Sequence, residues 1–574
     1  QDWGQPRERD YFYVGSFFIF AIWIGMGITS IAETFKEGKV MRKFIIPLVI
    51  IALIIPVMEI NANMFTSNRT GNYVAWDYSK NILESCEENA ILFTNGDNDT
   101  FPVWYLQEVE GIRTDVIVVN LSLLNTAWYI KQMKMKIPEF IQYTDDEITF
   151  RFDQKNMTQE GFMRRYWPKA KKLQLPTKDR KSQIEWEMKP TMSVKVDGNP
   201  EGFLRIQDQM VLEMIARNAI KNWERPMYFA VTVGGSNFIG LDKYLRMDGL
   251  CFRVVDYPAD KGIDPEALYE RVLKRYVSNY RNLDRKDIHY DNNITRLLQN
   301  YRSAFLQLAI YYEENRNPSD TKSEEINESK LYTYEEFGKF SNSTKIKYLL
   351  SKMEEYIPSD NIPYTSAMIQ AEIAGMYMRI GDKTKGEKLL STVDIDGLSY
   401  KKKIRFLLYS VAKGYNEYGM TILKNVQDDI LKIKGKDKYE KLFELYAGFV
   451  QVEENELANK VGSDISKYLK STPDAKLRNS VYKEFAVVVY QGGDKENSKK
   501  ILREYLELNP KDTEALDLLF QVYSIDKEHS KALIVVNKYL AIDPTNKDFQ
   551  DHKVVLEKVI KAENEFSVDK NGTK

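Results

Sequence analysis

The residues best suited to chemistry follow a short apolar segment at positions 90–94. Asp97, Asn98 and Asp99 stand there in a row, with Asn95 just before them. Two carboxylates that follow a strand can hold a divalent cation beside a diphosphate, because hard cations prefer oxygen ligands. Asp97 and Asp99 are therefore candidate metal ligands, and a divalent cation is the candidate cofactor.

The same residues also have a purely structural interpretation. Asp99 or Thr100 can cap a helix whose first residue is Pro102, and carboxylates are favourable near a helix N-terminus. Asn95 followed by glycine is ordinary turn chemistry. The sequence leaves both interpretations open.

Three apolar, β-rich segments predict the strands that position these residues: 90–94, 115–119 and 227–233. Helical patterns lie between them, so the alternation predicts an α/β domain with a largely parallel sheet. In such sheets the loops after the carboxyl ends of the strands meet at one edge, where ligands usually bind. The predicted ligand-binding rim consists of Asn95, Asp97, Asn98, Asp99, Asn120, Ser122, Gly234, Gly235 and Ser236.

Composition excludes several classes of protein. The chain has 574 residues and a formal net charge of −1, so no basic excess is available to bind nucleic acid. With three histidines and two cysteines, zinc-finger and CxxC sites are excluded. Neither GxGxxG nor GxxxxGK[ST] occurs, so both common nucleotide-binding motifs are absent. Cys86 and Cys251 are either separate buried thiols or one disulfide.

The chain begins with two apolar runs that predict a transmembrane helical hairpin over residues 1–60. Residues 11–32 carry no charge, and 22 residues at ~1.5 Å each give about 33 Å, enough to cross a bilayer core. The second span covers about 44–60. The positively charged connection between the runs predicts that it is cytoplasmic and that the bulk of the chain is extracytoplasmic. A cleaved signal peptide and a buried soluble hairpin are the alternatives.

A helical repeat array is predicted for the C-terminal part. Pro510 and Pro544 lie 34 residues apart and close similar phrases, which is the tetratricopeptide period. Stacked helix pairs form a surface that usually binds peptides or proteins. Equivalent positions in this frame are Tyr482 and Leu516, Phe485 and Leu519, Val489 and Tyr523, Ser498 and Ala532, and Leu502 and Val536.

These patterns divide the chain into five parts. An extracytoplasmic α/β domain covers 61–262, and a helical connection with a flexible loop covers 263–330. All-α tetratricopeptide-like repeats cover 331–565, and a disordered tail covers 566–574.

Four long phrases resemble one family closely: those beginning at Pro6, Ile91, Val118 and Arg225. The resemblance is to a Bacteroidetes inner-membrane family that carries the uncharacterised domain 2723. That family is similar to glycosyltransferase family 117, whose eukaryotic relative is a protein O-mannosyltransferase.

The resemblance implies a membrane-embedded glycosyltransferase that transfers sugar from a lipid-phosphate donor to a protein or envelope acceptor. It also implies that the catalytic acidic residues lie in a membrane domain upstream of Gln1, so no catalytic residue is assigned here. The expected location is the bacterial inner membrane with the bulk of the chain in the periplasm.

Two other functions fit the same sequence. A membrane-anchored repeat protein could organise envelope assembly without catalysis, and this needs no upstream half. A sugar- or metal-binding sensor built on the α/β domain is the third hypothesis.

Overall fold

The structure is a computed structural model that describes residues 13–36, 42–151, 172–189, 192–196, 199–260 and 262–571. The chain divides into two compact units. The first comprises residues up to 369 together with 376–387, and the second comprises 370–375 and 388 onward. The predicted repeat segment, which starts at 331, therefore begins inside the first unit.

Two long apolar helices, Val14–Lys36 and Arg42–Ser67, come first and contact each other. Their large side chains lack protein cover: Phe18 and Trp23 are each 66% exposed. An apolar helix exposed in this way is typical of lipid surroundings. Within the described residues, Val14–Ile31 is long and apolar enough to cross a membrane. This indicates membrane association, while the two-span hairpin stays a prediction.

The bounds of the two predicted spans differ from those of the observed helices. The first was predicted to begin at residue 11, which lies outside the described residues. The second, 44–60, lies within the helix that ends at Ser67, and this helix also contains Pro47 and Pro56. Proline removes a backbone donor from a helix, so each of these positions is a natural point for a bend.

Nine strands follow among the described residues of the first unit. Their bounds are β1 Ile91–Thr94, β2 Ile117–Asn120, β3 Lys172–Pro176, β4 Gln183–Glu187, β5 Met192–Val196, β6 Asn199–Phe203, β7 Met227–Ala230, β8 Leu245–Met247 and β9 Cys251–Val254. Five of them form one sheet in the order β2-β1-β7-β9-β8, and the other four form two separate hairpins, β3-β4 and β5-β6.

The five-stranded sheet is mixed. Strand β1 pairs in parallel with both β2 and β7, whereas β9 pairs antiparallel with β7 and β8. The prediction of a largely parallel sheet is correct for the three strands that the sequence identified and wrong for the other two. Those two are short and contain Arg246 and Arg253, so neither has the uninterrupted apolar run that marks the parallel strands.

The parallel strands lie in the core of the first unit. Every residue of β1 and of β7 is buried, as expected for strands covered on both faces. The rings of Phe93 and Phe229 lie side by side, 4.9 Å apart between centroids. The helices that accompany the sheet are Val74–Ser85, Asp97–Glu108, Ala127–Lys136, Asp145–Arg151 and Ile206–Ile220.

Hairpin β3-β4 is anchored to the loop after β7. The fully buried indole of Trp186 donates from Nε1 to the carbonyl of Ile239, at 2.9 Å. Gly240 has a φ of +88°, and a Cβ there would lie 2.3 Å from the carbonyl oxygen of Glu187. Only glycine therefore allows the hairpin to approach so closely.

Both cysteines are free and fully buried. The Sγ atoms of Cys86 and Cys251 each donate to the carbonyl of Ile82, at 3.6 Å. Burial raises the pKa of the Cys251 thiol well above its usual value, so the reactive thiolate is disfavoured.

The remainder of the first unit is helical: Pro265–Glu270, Asn292–Glu314, Tyr334–Gly338, Asn342–Tyr356 and part of Ala367–Arg379. The predicted flexible loop, residues 314–331, is fully described; it contains neither helix nor strand after residue 314, and it is hydrogen-bonded to neighbouring elements. Ser323 donates its backbone N–H to Ile380, and Glu324 donates to Thr344.

The second unit consists of helices. From residue 400 onward their bounds are Tyr400–Ala412, Asn416–Leu431, Lys436–Gln451, Asn455–Ser471, Ala475–Gln491, Lys495–Leu508, Thr513–Ile525, His529–Ile542 and Lys547–Asn571. The last helix continues past residue 565, where the predicted tail begins; residues 572–574 lie outside the described part.

The 34-residue frame agrees with the packing. All ten residues that the frame pairs are buried, from Tyr482 to Val536. Ser498 is fully buried where two helices meet, and its Oγ donates to the carbonyl of Ala486 at 2.7 Å. A small residue is required at this position because the facing backbone is so close.

We expect Ser498→Leu to destabilise the full chain by about 1–3 kcal/mol, because added methylenes cannot fit between closely packed helices. Urea unfolding followed by circular dichroism measures the effect. Arg503→Leu, at an exposed position of the same helix, is the matched control and should change stability by less than about 0.5 kcal/mol. Equal stability of the two variants would contradict the packing described here.

Candidate functional site

The carboxyl ends of β1 and β7 are level with each other. The two strands run in parallel with Phe93 opposite Phe229, so the residues that follow them meet at one edge of the sheet. Strand β1 connects onward to β2 on one side, whereas β7 is followed by strands on the other side. A crevice at such a reversal is the usual ligand position in α/β sheets.

Asp99 ties the two loops together. Its Oδ1 accepts from the backbone N–H of Gly96 at 2.9 Å, and its Oδ2 accepts from the N–H of Asn95 at 2.8 Å. The same Oδ2 accepts from the Oγ1 of Thr232, beyond β7, at 2.7 Å. Because helix Asp97–Glu108 begins after Gly96, this carboxylate at the third helical position pairs the backbone N–H of the N-cap glycine, which is one half of a capping box.

The expected start of this helix at Pro102 is therefore wrong, because the helix begins five residues earlier. Thr100 is not the cap. It is fully buried, and its Oγ1 lies 2.7 Å from the Oγ1 of Thr94.

Asn120 and Ser122, both predicted on the rim, form hydrogen bonds to the loop after β1 and to the helix that follows it. Asn120 is fully buried, and its Nδ2 donates to Thr100 at 2.9 Å while its Oδ1 accepts from the N–H of Leu123. The Oγ of Ser122 donates to the carbonyl of Asn95 at 2.7 Å. Both side chains hold the loop after β1 in place.

The predicted turn Gly234-Gly235-Ser236 is exposed, and the residue after it joins the two loops. The Nδ2 of Asn237 donates to Asn95 Oδ1 at 3.1 Å. Its Oδ1 accepts from Arg205 at 2.6 Å and from Gln207 at 3.2 Å. The predicted rim included Gly234, Gly235 and Ser236 but not Asn237, because only the glycine-rich turn has a recognisable sequence pattern.

A pocket of about 560 Å³ opens beside these loops. Its polar side is formed by Asn95, Asn98, Asp99 and Thr232 from the sheet edge, and by Arg69, Asn72 and Ser79. Its apolar wall is formed by Val74, Ala75, Pro102, Ile294 and Leu297, next to Tyr78. The volume and the mixed lining suit a small organic ligand with a polar group.

The pocket adjoins the end of the second apolar helix. That helix ends at Ser67, and Arg69 and Asn72 follow in a short turn. The amide of Asn282 donates to the carbonyl of Gly71 at 2.8 Å, and the ring of His289 lies 5.4 Å from that of Phe65. These contacts attach the turn to the folded domain.

Arg281 stabilises the helix that forms the pocket's apolar wall. Its Nε donates to Asp77 at 2.9 Å, and its guanidinium lies 4.1 Å from the ring centre of Tyr73 and 4.6 Å from that of Trp76. The hydrogen bond that Arg281 donates to Asp77 raises the pKa of Arg281, which stays charged at every physiological pH. A planar cation between aromatic rings is held rigidly.

Arg69 is the cationic group of the pocket. Its side chain is exposed and forms no ion pair within the described part of the chain. An exposed guanidinium that is not held in an ion pair can bind phosphate with two parallel hydrogen bonds. By contrast, burial raises the pKa of Tyr78 far above its usual value, so that hydroxyl stays protonated and cannot serve as a base.

The metal hypothesis for Asp97 and Asp99 stays a prediction. Among the residues that the structure describes, no group of three or more His, Cys, Asp or Glu side chains could hold a metal ion. The Asp99 carboxylate accepts hydrogen bonds from the helix N-cap residue and from Thr232 in the loop after β7. Asp97 is exposed at the start of the helix.

Two pocket residues had weak signals in the sequence. Thr232 was hidden inside the predicted strand 227–233, because the observed strand ends at Ala230. Arg69 is the first cation after the second apolar run, but nothing in the sequence shows that the turn folds back onto the sheet edge.

Comparison with known proteins shows sequence similarity in the part of the chain that contains the sheet and most of the pocket. A model of TMEM260-associated domain 2 matches residues 75–160 and 168–269. Protein O-mannosyl-transferase TMEM260 of Mus musculus is 28% identical over 80 residues, which are 14% of this chain and 11% of that protein. These matches relate the α/β region of this chain to a domain associated with TMEM260, and the chain spans about a tenth of the length of the curated relative. The narrower bacterial family stays a prediction.

Among solved structures, the crystal structure of the P58(IPK) TPR domain is similar to part of the chain. The alignment covers 62% of this chain and 88% of that one, at 13% identity and a TM-score of 0.17. The repeat interpretation rests on the helix pairs and buried positions of the second unit.

We expect Asp99→Ala to lower the free energy of unfolding by about 1–2 kcal/mol, because it removes a capping carboxylate. Urea denaturation of the full chain measures the loss. Asp97→Ala, two residues away and exposed, is the control and should cost less than about 0.5 kcal/mol. If both variants were equally stable, the hydrogen bonds of Asp99 would not be what joins the two loops.

Proposed function

We propose that this chain is part of a membrane glycosyltransferase that transfers a mannosyl unit from a lipid-phosphate donor to a protein or envelope acceptor. The observation that carries the proposal is the place of the pocket. It lies between the turn after the second apolar helix and the carboxyl ends of β1 and β7. A donor anchored in a bilayer by its lipid could present its head group there.

The lining divides into regions that suit the parts of such a donor. Arg69, on the side of the apolar helix, suits the phosphate. The amides of Asn95 and Asn98 and the carboxylate of Asp99 suit sugar hydroxyls, which both donate and accept hydrogen bonds. The apolar wall that includes Ile294 and Leu297 suits the first carbons of the lipid.

The pocket serves binding and orientation in this proposal. In the transfer, the acceptor oxygen forms a bond to the anomeric carbon, the bond from that carbon to phosphate oxygen breaks, and a base takes the acceptor proton. Asp99 already accepts three hydrogen bonds, so we do not assign it as that base. The base is expected in the membrane part of the transferase, as the family resemblance implies.

The proposed location is the bacterial inner membrane, with the pocket and the repeats in the periplasm. The connection between the apolar helices contains Lys36, Lys39, Arg42 and Lys43, and cation-rich loops are usually cytoplasmic. Both helix ends remote from that connection then lie outside the cytoplasm. The residues from about 60 onward follow on the same side.

The second unit offers a surface for a protein acceptor. A groove of about 480 Å³ is lined mainly by helices Asn455–Ser471 and Lys495–Leu508. Its walls carry amides and hydroxyls that can pair with an extended peptide backbone, together with the charged side chains of Lys470, Lys500 and Glu504. The amide and hydroxyl side chains are Asn459, Ser463, Ser466 and Asn497.

We expect Arg69→Ala to reduce mannosyl transfer from a lipid-phosphate donor by about tenfold in native membranes, through loss of a charge-assisted contact to phosphate. Release of radiolabel from polyprenyl phosphate mannose measures the rate. Arg296→Ala is the matched control, because Arg296 is exposed on the helix that bears Ile294 and Leu297. Full activity of Arg69→Ala, or an equal loss in both variants, would exclude this role.

Labelling of single cysteines tests the topology. Cys86 and Cys251 are fully buried and give little background. Ser182→Cys, at an exposed turn, should react with a membrane-impermeant maleimide in intact spheroplasts, and Lys39→Cys should react only after permeabilisation. The reverse pattern would place the pocket in the cytoplasm.

A further inference from the structure

The helix that borders the pocket also carries an uncovered aromatic surface. Phe101 is 52% exposed and Tyr105 is 48% exposed, and both lie on helix Asp97–Glu108. Trp128, 58% exposed, lies at the start of the next helix. Together with Trp104, these residues form what we call the aromatic platform.

Three of the four platform rings, Phe101, Trp104 and Trp128, are connected through the buried ring of Tyr129. Phe101 and Trp104 are stacked, with centroids 5.6 Å apart and planes 25° from parallel. The buried ring of Tyr129 lies 6.5 Å from Trp104 and 5.5 Å from Trp128. Contact with a buried ring fixes the outer rings in position, so the surface is formed in advance of binding.

The platform is continuous with the pocket. Asn98 and Pro102 line the pocket, and Asn98, Phe101 and Tyr105 follow one another at intervals of three and four residues. Residues at these intervals share one face of a helix. A ligand that leaves the polar side of the pocket along this helix therefore meets the rings.

Charge decides what kind of ligand fits. Helix Asp97–Glu108, which bears Phe101, Trp104 and Tyr105, contains Asp97, Asp99 and Glu108 and no lysine or arginine. The helix that bears Trp128 contains Lys131, Lys134 and Lys136. The hydroxyl of Tyr105 donates to Glu110 at 2.8 Å, which adds another carboxylate. The rings of Phe101 and Tyr105 therefore have carboxylate neighbours, which repel an anionic bilayer surface, whereas aromatic membrane anchors usually have basic neighbours.

A neutral sugar can bind both to the exposed aromatic rings and to the carboxylates beside them. One face of a pyranose ring presents C–H groups that pack on an aromatic ring, and its edge presents hydroxyls that donate to carboxylates and amides. We propose that the aromatic platform binds a mannopyranose unit beside the pocket. This inference rests on the proposed function and specifies which side of the site holds the saccharide.

The test measures binding of α-mannotriose to the full chain in nanodiscs, by saturation-transfer NMR and tryptophan fluorescence. Phe101→Ala and Trp128→Ala should each weaken binding by about tenfold or more, and Phe101→Tyr should retain it. Met135→Ala is the matched control, because Met135 is 78% exposed on the helix that bears Trp128 and should have no effect. Binding of polyprenyl phosphate is measured on the same variants.

Each outcome is decisive. Loss of mannotriose binding in the two alanine variants, with polyprenyl phosphate binding intact, supports the platform. No binding of mannotriose to the wild type, or unchanged binding by the alanine variants, overturns it. Weaker attachment of the alanine variants to sugar-free phospholipid vesicles would instead identify a membrane contact and would also overturn it. The proposed function fails separately, if Arg69→Ala binds polyprenyl phosphate as tightly as the wild type.

Discussion

The hydrogen bonds to the Asp99 carboxylate are the contacts on which the site depends. They join the loop after β1 to the loop after β7 and begin the helix that borders the pocket. Hydrogen bonds to a carboxylate are stronger than those between neutral groups, and one of the donors, the backbone N–H of Gly96, is at the helix N-cap, where it has no partner within the helix. The pocket can therefore have a defined shape although it lies among loops.

The sequence predicted the inner part of this arrangement well. The three parallel strands could be identified because each is a short apolar run that ends in polar residues. The loop after β1 was placed correctly at a sheet edge, and capping by Asp99 was one of the two interpretations considered. The exact start of the helix was missed, since Pro102 is a familiar first residue and the earlier start after Gly96 depends on Asp99 reaching back.

Long-range contacts explain what the sequence could not predict. Arg69 and Leu297 line the same pocket although more than two hundred positions separate them, and neither has a local signature. The antiparallel strands were missed because Arg246 is held by Asp248, at 2.9 Å, and so an arginine can occupy a covered strand. The repeats are easier to predict because they depend on contacts between neighbours in sequence.

The hydrogen bond from Asn282 to the carbonyl of Gly71 attaches the turn after the second apolar helix to the domain that contains the pocket. A helix that is too long for the surrounding hydrocarbon tilts, and a tilt of the helix ending at Ser67 would move Arg69 relative to Asp99. The width of the pocket would then depend on bilayer thickness. Ligand affinity in lipids of different acyl length would reveal this hydrophobic matching, and a constant affinity would show that the turn absorbs the tilt.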